Sequence, residues 1–471
     1  MKFVDRKDEM RRLDGLGEGG RAGLAALWGR RRVGKTRLLL EWCRRRGGLY
    51  SVADLSSESV QRRYFAEAAA AKFPGFAEAE YPDWRTLLRA LGREAERVAW
   101  HGPVVLDEFP YLAESCPALP SILQNWIDHE ALQAGLLLVI AGSSRHMMQG
   151  LALNADSPLY GRTEEAMALA PMSVAAAAEA LSLEDPVDAV RAFAAWGGIP
   201  RYWELAEPFR RDVDSAVDRL VLDPLGPLHQ ETDRLLADER PSAMPLRPVL
   251  DAIGAGAHRV SEIAGRIGQP STSLSRGLSR LAELGLLTRD QPFGESERGG
   301  KKTLYRIDDP FFRLWFRLVA PHRAVLASAP ETVRRGLWAR QREGLFAETW
   351  ETLCRAAVPR LGGVGPLAEG GPWGPAARTW GGGGPEWDVV ARSLDGKALL
   401  LGEVKWRAGE ASDDVVGKAL RDLEAKGTPP IEMPPGARVV RAIFVPRRPP
   451  RRGRRKEAAA VDAGDVLRAF R

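Results

Sequence analysis

The first part of this 471-residue sequence predicts an α/β fold in which a five-stranded parallel sheet carries helices between its strands. Two observations support this prediction. An apolar run at 24–28 leads directly into GRRRVGKT at 29–36, and a helical pattern begins at Arg37. Further apolar runs of strand length follow, at 48–52, 103–107, 136–141 and 166–169.

The segment after the first strand matches the phosphate-loop pattern G-x-x-x-x-G-K-[ST]. Glycines let the backbone N–H groups turn toward phosphate oxygens, and the following helix adds the positive end of its dipole. Lys35 is expected to reach the β- and γ-phosphates, and Thr36 to bind Mg²⁺ through its hydroxyl. We therefore predict binding of ATP and Mg²⁺ by Gly29, Arg30, Arg31, Arg32, Val33, Gly34, Lys35, Thr36 and Arg37.

Hydrolysis of ATP requires an acid near the metal and a base for the attacking water, and two acids follow the strand at 103–107. Asp107 is expected to hold Mg²⁺ through water, and Glu108 to polarise the nucleophilic water. Ser143, with Ser144 as the alternative, follows the next strand and is expected to sense the γ-phosphate. Arg162 either stabilises the transition state, in cis or on a neighbouring copy, or is an ordinary surface arginine.

These motifs together resemble the AAA+-related ATPases of archaea and bacteria, which are similar to STAND signalling ATPases. The resemblance covers roughly residues 1–320 and implies that the segment before the phosphate loop borders the adenine. It also implies a helical lid around the Gly-Gly-Ile-Pro sequence. The matching segments are FVDRKDE at 3–9, the phosphate loop, LDE at 106–108, AGSS at 141–144, LYGR at 159–162 and WGGIPRY at 196–202.

Three helical patterns followed by two strand patterns predict a winged helix-turn-helix at 241–320. The third helix would turn Leu274, Leu278 and Leu281 inward. Its opposite face, with two lysines of the wing, would either contact DNA or belong to a packing module that binds a protein partner. That face comprises Thr272, Ser275, Arg276, Ser279 and Arg280, and the wing lysines are Lys301 and Lys302.

Alternating residues on either side of an Asp-Gly pair predict a hairpin near residue 395. If Leu394 pairs with Lys397, Asp388 lies directly opposite Glu403, and Lys405 shares their face. Two carboxylates in this position are expected to bind Mg²⁺, while Lys405 orients a water or neutralises developing phosphate charge.

The spacing Asp-x₁₄-Glu-x-Lys resembles that of the PD-(D/E)xK nuclease superfamily, although the proline, Pro385, stands three residues before Asp388. The resemblance implies an α/β restriction-endonuclease-like domain and a further metal-binding glutamate on the preceding helix. Glu351 is the preferred candidate, and Glu348, one turn earlier, is the alternative.

The predicted domains are an ATPase core at 1–165, a helical lid at 166–240, the winged helix at 241–320 and the nuclease-like domain at 330–471. The net charge is +6, but the basic run at 447–456 alone carries seven positive charges, which suit either a solvated loop or a phosphate-binding arm. No apolar run reaches membrane-spanning length, and three scattered cysteines indicate neither a disulfide framework nor a zinc site. A cytoplasmic protein without a membrane partner is therefore expected.

Two functions remain open from the sequence. In the first, an ATPase controls a Mg²⁺-dependent nuclease that acts on DNA. In the second, a STAND-like switch uses a catalytically silent nuclease-like domain to bind DNA or protein. The groups that cleavage requires, namely Asp388, Glu403 and Lys405, are all present in the sequence, which favours the first function.

Overall fold

In the computed structural model, the described residues are 2–16, 23–238, 246–295, 302–362, 365–381, 384–407, 413–433, 436–448 and 459–471. The chain forms two compact units, one of Asp5–Pro171 and one of Met1–Val4 with Met172–Arg471. Among the described residues, no helix has both the length and the apolar character needed to cross a membrane.

The first unit contains a five-stranded parallel sheet with the strand order β2-β3-β4-β1-β5, which confirms the prediction. Every residue of β1 and β4 is buried, as expected for central strands covered on both faces. The strands are β1 (Gly23–Trp28), β2 (Leu49–Val52), β3 (Val104–Asp107), β4 (Leu137–Gly142) and β5 (Thr163–Ala168).

Helices alternate with these strands and bury their apolar sides against the sheet. Leu87, Leu88 and Leu91, for example, are fully or almost fully buried on one side of α4. The helices are α1 (Lys7–Asp14), α2 (Lys35–Arg46), α3 (Glu58–Ala70), α4 (Trp84–Arg97), α5 (Phe109–Ser115), α6 (Leu119–Trp126), α7 (Leu132–Ala134) and α8 (Arg145–Met148). The predicted boundary at residue 165 is wrong, because β5 runs to Ala168 and pairs with β1 in the same sheet.

The second unit begins with helices in the region predicted as a lid. These helices are α9 (Val174–Ala180), α10 (Pro186–Trp196), α11 (Pro200–Ala206), α12 (Val213–Val217) and α13 (Glu231–Asp238). The predicted boundary at residue 240 lies outside the described residues.

Three helices and a two-stranded antiparallel sheet follow. They are α14 (Leu246–Gly254), α15 (Val260–Ile267), α16 (Ser275–Glu283), β6 (Leu287–Asp290) and β7 (Leu304–Ile307). A 3₁₀ turn at Ser271–Leu274 precedes α16. The three leucines predicted to face inward, Leu274, Leu278 and Leu281, are buried.

Two long helices join this region to the last sheet. They are α17 (Pro310–Leu326) and α18 (Glu331–Leu361). The predicted boundary at 320 is wrong because it falls within α17. The predicted domain start at 330 lies directly before the first residue of α18, and the first half of this helix contacts the lid region, where Trp338 donates to Asp214 and Arg334 pairs with Asp218.

The last sheet has the strand order β12-β11-β10-β9-β8, with β8, β9 and β10 antiparallel and β10, β11 and β12 parallel. Its strands are β8 (Ala377–Thr379), β9 (Trp387–Arg392), β10 (Ala398–Val404), β11 (Arg438–Phe444) and β12 (Ala459–Val461). Two further helices are α19 (Asp413–Ala425) and α20 (Ala463–Ala469). The core of one face contains residues of α18 and α20, and that of the other face contains residues of α19.

Candidate functional site

The predicted phosphate loop connects β1 to α2, and two of its glycines are required by geometry. Gly34 has φ +99°, a left-handed conformation that side chains disfavour. A Cβ atom on Gly29 would lie 2.7 Å from the carbonyl oxygen of Leu169. The loop therefore depends on glycine for one backbone conformation and for one close approach.

Lys35 is the first residue of α2 and is 5% exposed. Its Nζ donates to the carbonyl of Gly29 at 2.7 Å and to Oγ of Ser143 at 3.1 Å. These acceptors hold the ammonium over the loop, at the positive end of the α2 dipole, where an anion is favoured.

The hydroxyl of Thr36 donates to Oδ2 of Asp107 at 2.8 Å, which joins the phosphate loop to the end of β3. Tyr50, a residue that the sequence interpretation missed, donates to the same oxygen at 2.6 Å. Burial, followed by the charge of Asp107, raises the pKa of the Tyr50 phenol well above its usual value, so Tyr50 remains a donor. A hydroxyl and a fully buried carboxylate are hard oxygen ligands, and this pair fits Mg²⁺.

Glu108 follows Asp107 in a left-handed backbone conformation, with φ 53°. Its carboxylate accepts from Oγ of Ser143 at 2.5 Å and from the Ser143 backbone N–H at 3.3 Å. Ser144 instead accepts from the backbone of Met147 and caps α8. Of the two candidate serines, Ser143 is therefore the one in contact with both Lys35 and Glu108.

Arg6 is a second residue whose role the sequence did not reveal. Its guanidinium, only 4% exposed, donates to the carbonyl of Val33 in the phosphate loop at 2.9 Å and to that of Ala170 at 2.8 Å. It also pairs with Glu9 at 2.7 Å. Arg6 therefore supports the phosphate loop through the carbonyl of Val33.

The other arginines have different surroundings. Arg31 donates to the Tyr111 hydroxyl at 3.2 Å, and Arg32 has φ 68°. Arg162 makes a two-point ion pair with Asp128, at 2.8 and 2.7 Å. Arg162 is therefore bound to Asp128 in this structure and does not contact the phosphate loop among the described residues.

In the C-terminal sheet, β9 and β10 have the predicted register, with Gly402 opposite Val389 and Leu399 opposite Arg392. The turn differs from the prediction. Leu394 does not pair with Lys397, because its N–H donates to Pro372 and the turn closes from Gly396 to Ser393 at 2.9 Å. The register survives because Ser393 still bonds to Ala398. The ladder ends at the pair of Gly402 and Val389, and Glu403 and Asp388 are the next residues of the two strands.

Glu403 is 5% exposed and is held by two lysines. Lys405 contacts Oε1 at 2.7 Å and Lys426, which the sequence interpretation missed, contacts Oε2 at 2.5 Å. Burial is the largest influence and lowers the pKa of Lys405, but the hydrogen bond to Glu403 and the charges of nearby acids together outweigh it, so this pKa is raised. Lys405 is therefore held in its charged form.

Asp388 accepts from the backbone N–H of Val404 at 2.9 Å. Its pKa is raised, first by burial and then by the charges of Glu403 and Glu351. A cation between these acids would relieve that cost. In the described parts of the chain, however, no three His, Cys, Asp or Glu side chains come close enough together to hold a metal ion.

Of the two candidate helix carboxylates, Glu348 is used elsewhere. It pairs with Arg313 at 3.3 Å and with Arg317 at 2.7 Å. Glu351 lies 3.6 Å from Arg355, and its negative charge contributes to the raised pKa of Asp388. The structure therefore favours Glu351 over Glu348, but it does not bring Glu351, Asp388 and Glu403 together as a three-ligand group.

The candidate DNA-contacting face of α16 and the turn before it is exposed at Thr272, Ser275, Arg276 and Ser279. Arg280 is half-buried and lies 3.6 Å from Glu283. Lys302 pairs with Glu295 at 2.6 Å, and Lys301 lies outside the described residues. In the basic run, Arg447 pairs with Asp185 and Arg448 with Asp462, while residues 449–456 are likewise outside the described residues.

The first part of the chain is similar to a known protein family. Residues 3–205 match the family model of an ATPase domain predominantly from Archaea. The motifs of the nucleotide site, from the segment at 3–9 to the serines that follow β4, fall within this match. This part of the chain, somewhat under half of its length, is therefore similar to the ATPase domains of that family.

A protein of Methanocaldococcus jannaschii of uncharacterized function is 27% identical over 425 residues, which span 90% of this chain and 91% of that protein. Among solved structures, the Walker-type ATPase of Pyrococcus abyssi aligns at a TM-score of 0.52 and 21% identity, covering 67% of this chain and 96% of that one. The ORC2 protein of Aeropyrum pernix aligns at a TM-score of 0.46 and 14% identity, covering 69% and 96%. The P. abyssi likeness and the parallel sheet show a P-loop NTPase fold.

Proposed function

We propose that this protein binds ATP with Mg²⁺ and hydrolyses it, and that its nucleotide state controls a Mg²⁺-dependent nuclease, or a DNA-binding domain, built on the C-terminal sheet. The ATPase part rests on one observation. Lys35, Thr36, Asp107, Glu108 and Ser143 form a continuous hydrogen-bonded network at the edge of the parallel sheet, in an ATPase domain.

Each member of this network has a chemical role in hydrolysis. Lys35 would exchange its present acceptors for phosphate oxygens, and Ser143 would orient Glu108. Glu108 would take a proton from the water that attacks the γ-phosphorus, while the bond to the bridging oxygen breaks and ADP leaves. When bound at Thr36 and Asp107, Mg²⁺ would neutralise phosphate charge.

The DNA part of the proposal draws on two regions of the second unit. Asp388 and Glu403, which follow the last pair of the β9–β10 ladder, and Lys405, which contacts Glu403, supply the acids and the lysine expected of a PD-(D/E)xK nuclease site. Three helices followed by a two-stranded sheet support a winged helix, and Arg276 lies on its exposed face.

A second candidate, a regulatory switch with a silent nuclease-like domain, is favoured by the state of Glu403. Each oxygen of this carboxylate is engaged by a lysine, Lys405 on one side and Lys426 on the other. Binding of a metal would have to displace at least one of these ion pairs. A domain that keeps both pairs would present lysines to a DNA backbone without cleaving it.

ATP turnover by the full chain tests the ATPase part of the proposal. Lys35→Ala is expected to abolish measurable ATP binding and phosphate release, because it removes the cation that holds the phosphates. Lys72→Ala, which changes an exposed lysine of the same unit, is the matched control and should behave like wild type. Unchanged turnover in Lys35→Ala would contradict the assignment.

Incubation with plasmid and linear DNA, with Mg²⁺ or Mn²⁺ and with or without ATP, separates the two candidates. Cleavage that Lys405→Ala abolishes, and that Lys397→Ala at the exposed hairpin turn retains, supports the nuclease. DNA binding without cleavage under either metal supports the silent domain. If the protein neither binds nor cleaves DNA, the DNA part of the proposal is wrong.

A further inference from the structure

The connection between β6 and β7, the predicted wing, is attached to the last sheet through its described residues, 291–295 and 302–303. The backbone N–H of Phe293 donates to the carbonyl of Arg378 at 2.8 Å. Arg378 belongs to β8, which is the outermost described strand on its side of the sheet. The edge of a sheet carries backbone groups that pair readily with other segments, and the wing pairs with one of them.

The side chain of Phe293 anchors this attachment. It is half-buried and packs against the core on the α19 face of the sheet, to which Ile431 and Met433 also contribute. The preceding residue, Pro292, is buried. Removing apolar surface from water is favourable in proportion to its area, so the ring stabilises the docked position of the wing.

Lys302, the described lysine of the wing, is engaged in the same docked position. Its Nζ pairs with Glu295 at 2.6 Å. Its stem lies near Gly381, which follows β8, since a Cβ atom on this glycine would be 3.6 Å from Cδ of Lys302. The lysine predicted to contact DNA is therefore held by a carboxylate and lies against the last sheet.

We propose that the wing is an autoinhibitory latch, which docks on the last sheet and must be released before Lys302 can contact a DNA backbone. The inference rests on the DNA part of the proposed function and adds a control to it. Phosphates compete with Glu295 for this lysine, and reaching them takes the wing off β8. DNA therefore binds the undocked state, and its apparent affinity is proportional to the undocked fraction.

Hydrogen exchange of the full chain, without DNA, measures the docking itself. The amide of Phe293 is protected by its bond to Arg378 and exchanges when the wing undocks. Phe293→Ser keeps this amide and removes the ring, so exchange there, corrected for the intrinsic rate of the new side chain, should be about 3- to 10-fold faster. Leu225→Ser, at a leucine that is 94% exposed in the same unit, is the control and should leave it unchanged. An equal rate in wild type and Phe293→Ser would overturn the latch.

The affinity of a short DNA duplex for the same proteins, measured without divalent ions, tests the control of DNA binding. Phe293→Ser should bind the duplex tighter by the same factor, because a larger undocked fraction is available to DNA. Reciprocally, the duplex should accelerate exchange of the Phe293 amide in wild type. Slower exchange, or an affinity that Phe293→Ser does not raise, would overturn the latch while wild type still binds DNA. If neither protein binds the duplex, the DNA part of the proposed function is wrong and the latch is wrong with it.

Phe293→Leu separates the anchor from a general loss of structure. Leucine retains much of the apolar contact, so both the exchange rate and the duplex affinity should lie between those of wild type and Phe293→Ser. The melting temperatures of both variants should stay close to that of wild type, since the ring is only half-buried. Effects as large in Phe293→Leu as in Phe293→Ser would mean that apolar contact does not hold the wing, and would overturn the proposal.

Discussion

The two candidate sites both combine lysines with carboxylates, but they use the lysines differently. At the phosphate loop, Lys35 donates to neutral acceptors, a backbone carbonyl and the hydroxyl of Ser143. At the C-terminal sheet, Lys405 and Lys426 both neutralise Glu403. An anion can replace neutral acceptors without leaving a carboxylate unpaired, whereas a ligand of the second site must open an ion pair. The phosphate-loop site can therefore bind phosphate without breaking an ion pair. At the C-terminal site, at least one ion pair of Glu403 must break before a ligand can bind.

The largest expected effect concerns the phosphate-loop site. Glu108→Gln keeps an oxygen that Ser143 can contact but removes the base, so ATP turnover should fall by about 10²–10⁴-fold. ATP affinity should change little, because the loop and Lys35 are untouched. Phosphate release and equilibrium ATP binding, measured side by side with Glu96→Gln, an exposed glutamate of α4, check this expectation. Equal turnover in the two variants would rule out Glu108 as the base.

The second prediction concerns the C-terminal site, where Glu403 is paired with two lysines. Glu403→Gln releases Lys405 and Lys426, so cleavage should be lost while DNA binding becomes more dependent on salt. Each new phosphate contact should steepen the slope of log affinity against log salt by about 0.9. Binding titrations over a salt series, with the exposed Glu424→Gln as control, measure the change. An unchanged slope would mean that the released lysines do not meet DNA.

A smaller effect is expected at the hydroxyl that supports Asp107. Tyr50→Phe removes one of two donors to Oδ2 of this acid but leaves Thr36 in place. The Mg²⁺ concentration for half-maximal ATP turnover should shift by about 2- to 10-fold, as expected for a net hydrogen bond of about 0.5–1.5 kcal/mol. Tyr160→Phe, at an exposed tyrosine of the same unit, should show no shift.

The smallest effect concerns pH and the second site alone. Because burial raises the pKa of Asp388 above its usual 3.8, the native state binds this proton more tightly than the unfolded chain does. The resulting stability is present below pH 3.8 and is lost as pH rises through the native pKa. Denaturation at a series of pH values, without divalent ions, should show wild type losing stability relative to Asp388→Asn as pH increases.

Asp395, on the same hairpin, provides a control of opposite sign. Its hydrogen bond from Ser393 lowers its pKa, so the stability it contributes is present above 3.8 and is lost as pH falls through the native pKa. Wild type should therefore lose stability relative to Asp395→Asn as pH decreases. Parallel pH profiles for the two variants would contradict both assignments.

Local patterns in the sequence predicted much of both sites. The glycine-rich segment between a strand and a helix placed Lys35 and Thr36, and alternation around Asp-Gly predicted the register observed from Arg392 and Leu399 to Val389 and Gly402. Such signals are local because they depend on backbone conformation and on a period of two residues. The turn itself could not be predicted, since the bond from Leu394 to Pro372 involves a distant segment.

The supporting residues escaped the sequence interpretation for the same reason. Arg6 reaches a loop 27 residues away, and Lys426 meets an acid 23 residues earlier in the chain. Tyr50 stands in a short strand, where an aromatic residue usually indicates packing. Their roles follow from tertiary packing, which no local pattern encodes.

The long helix α18 has a mechanical consequence. Its 31 residues form a rod of about 46 Å that touches the lid region through Trp338 near one end and buries Trp350 in the core of the last sheet further along. A rod has no joint in which to absorb movement, so a tilt of about 5° at one end would displace the other end by about 4 Å. A tilt of α18 at the lid region would therefore move the core of the last sheet, which Val174 of α9 and Val187 of α10 also enter.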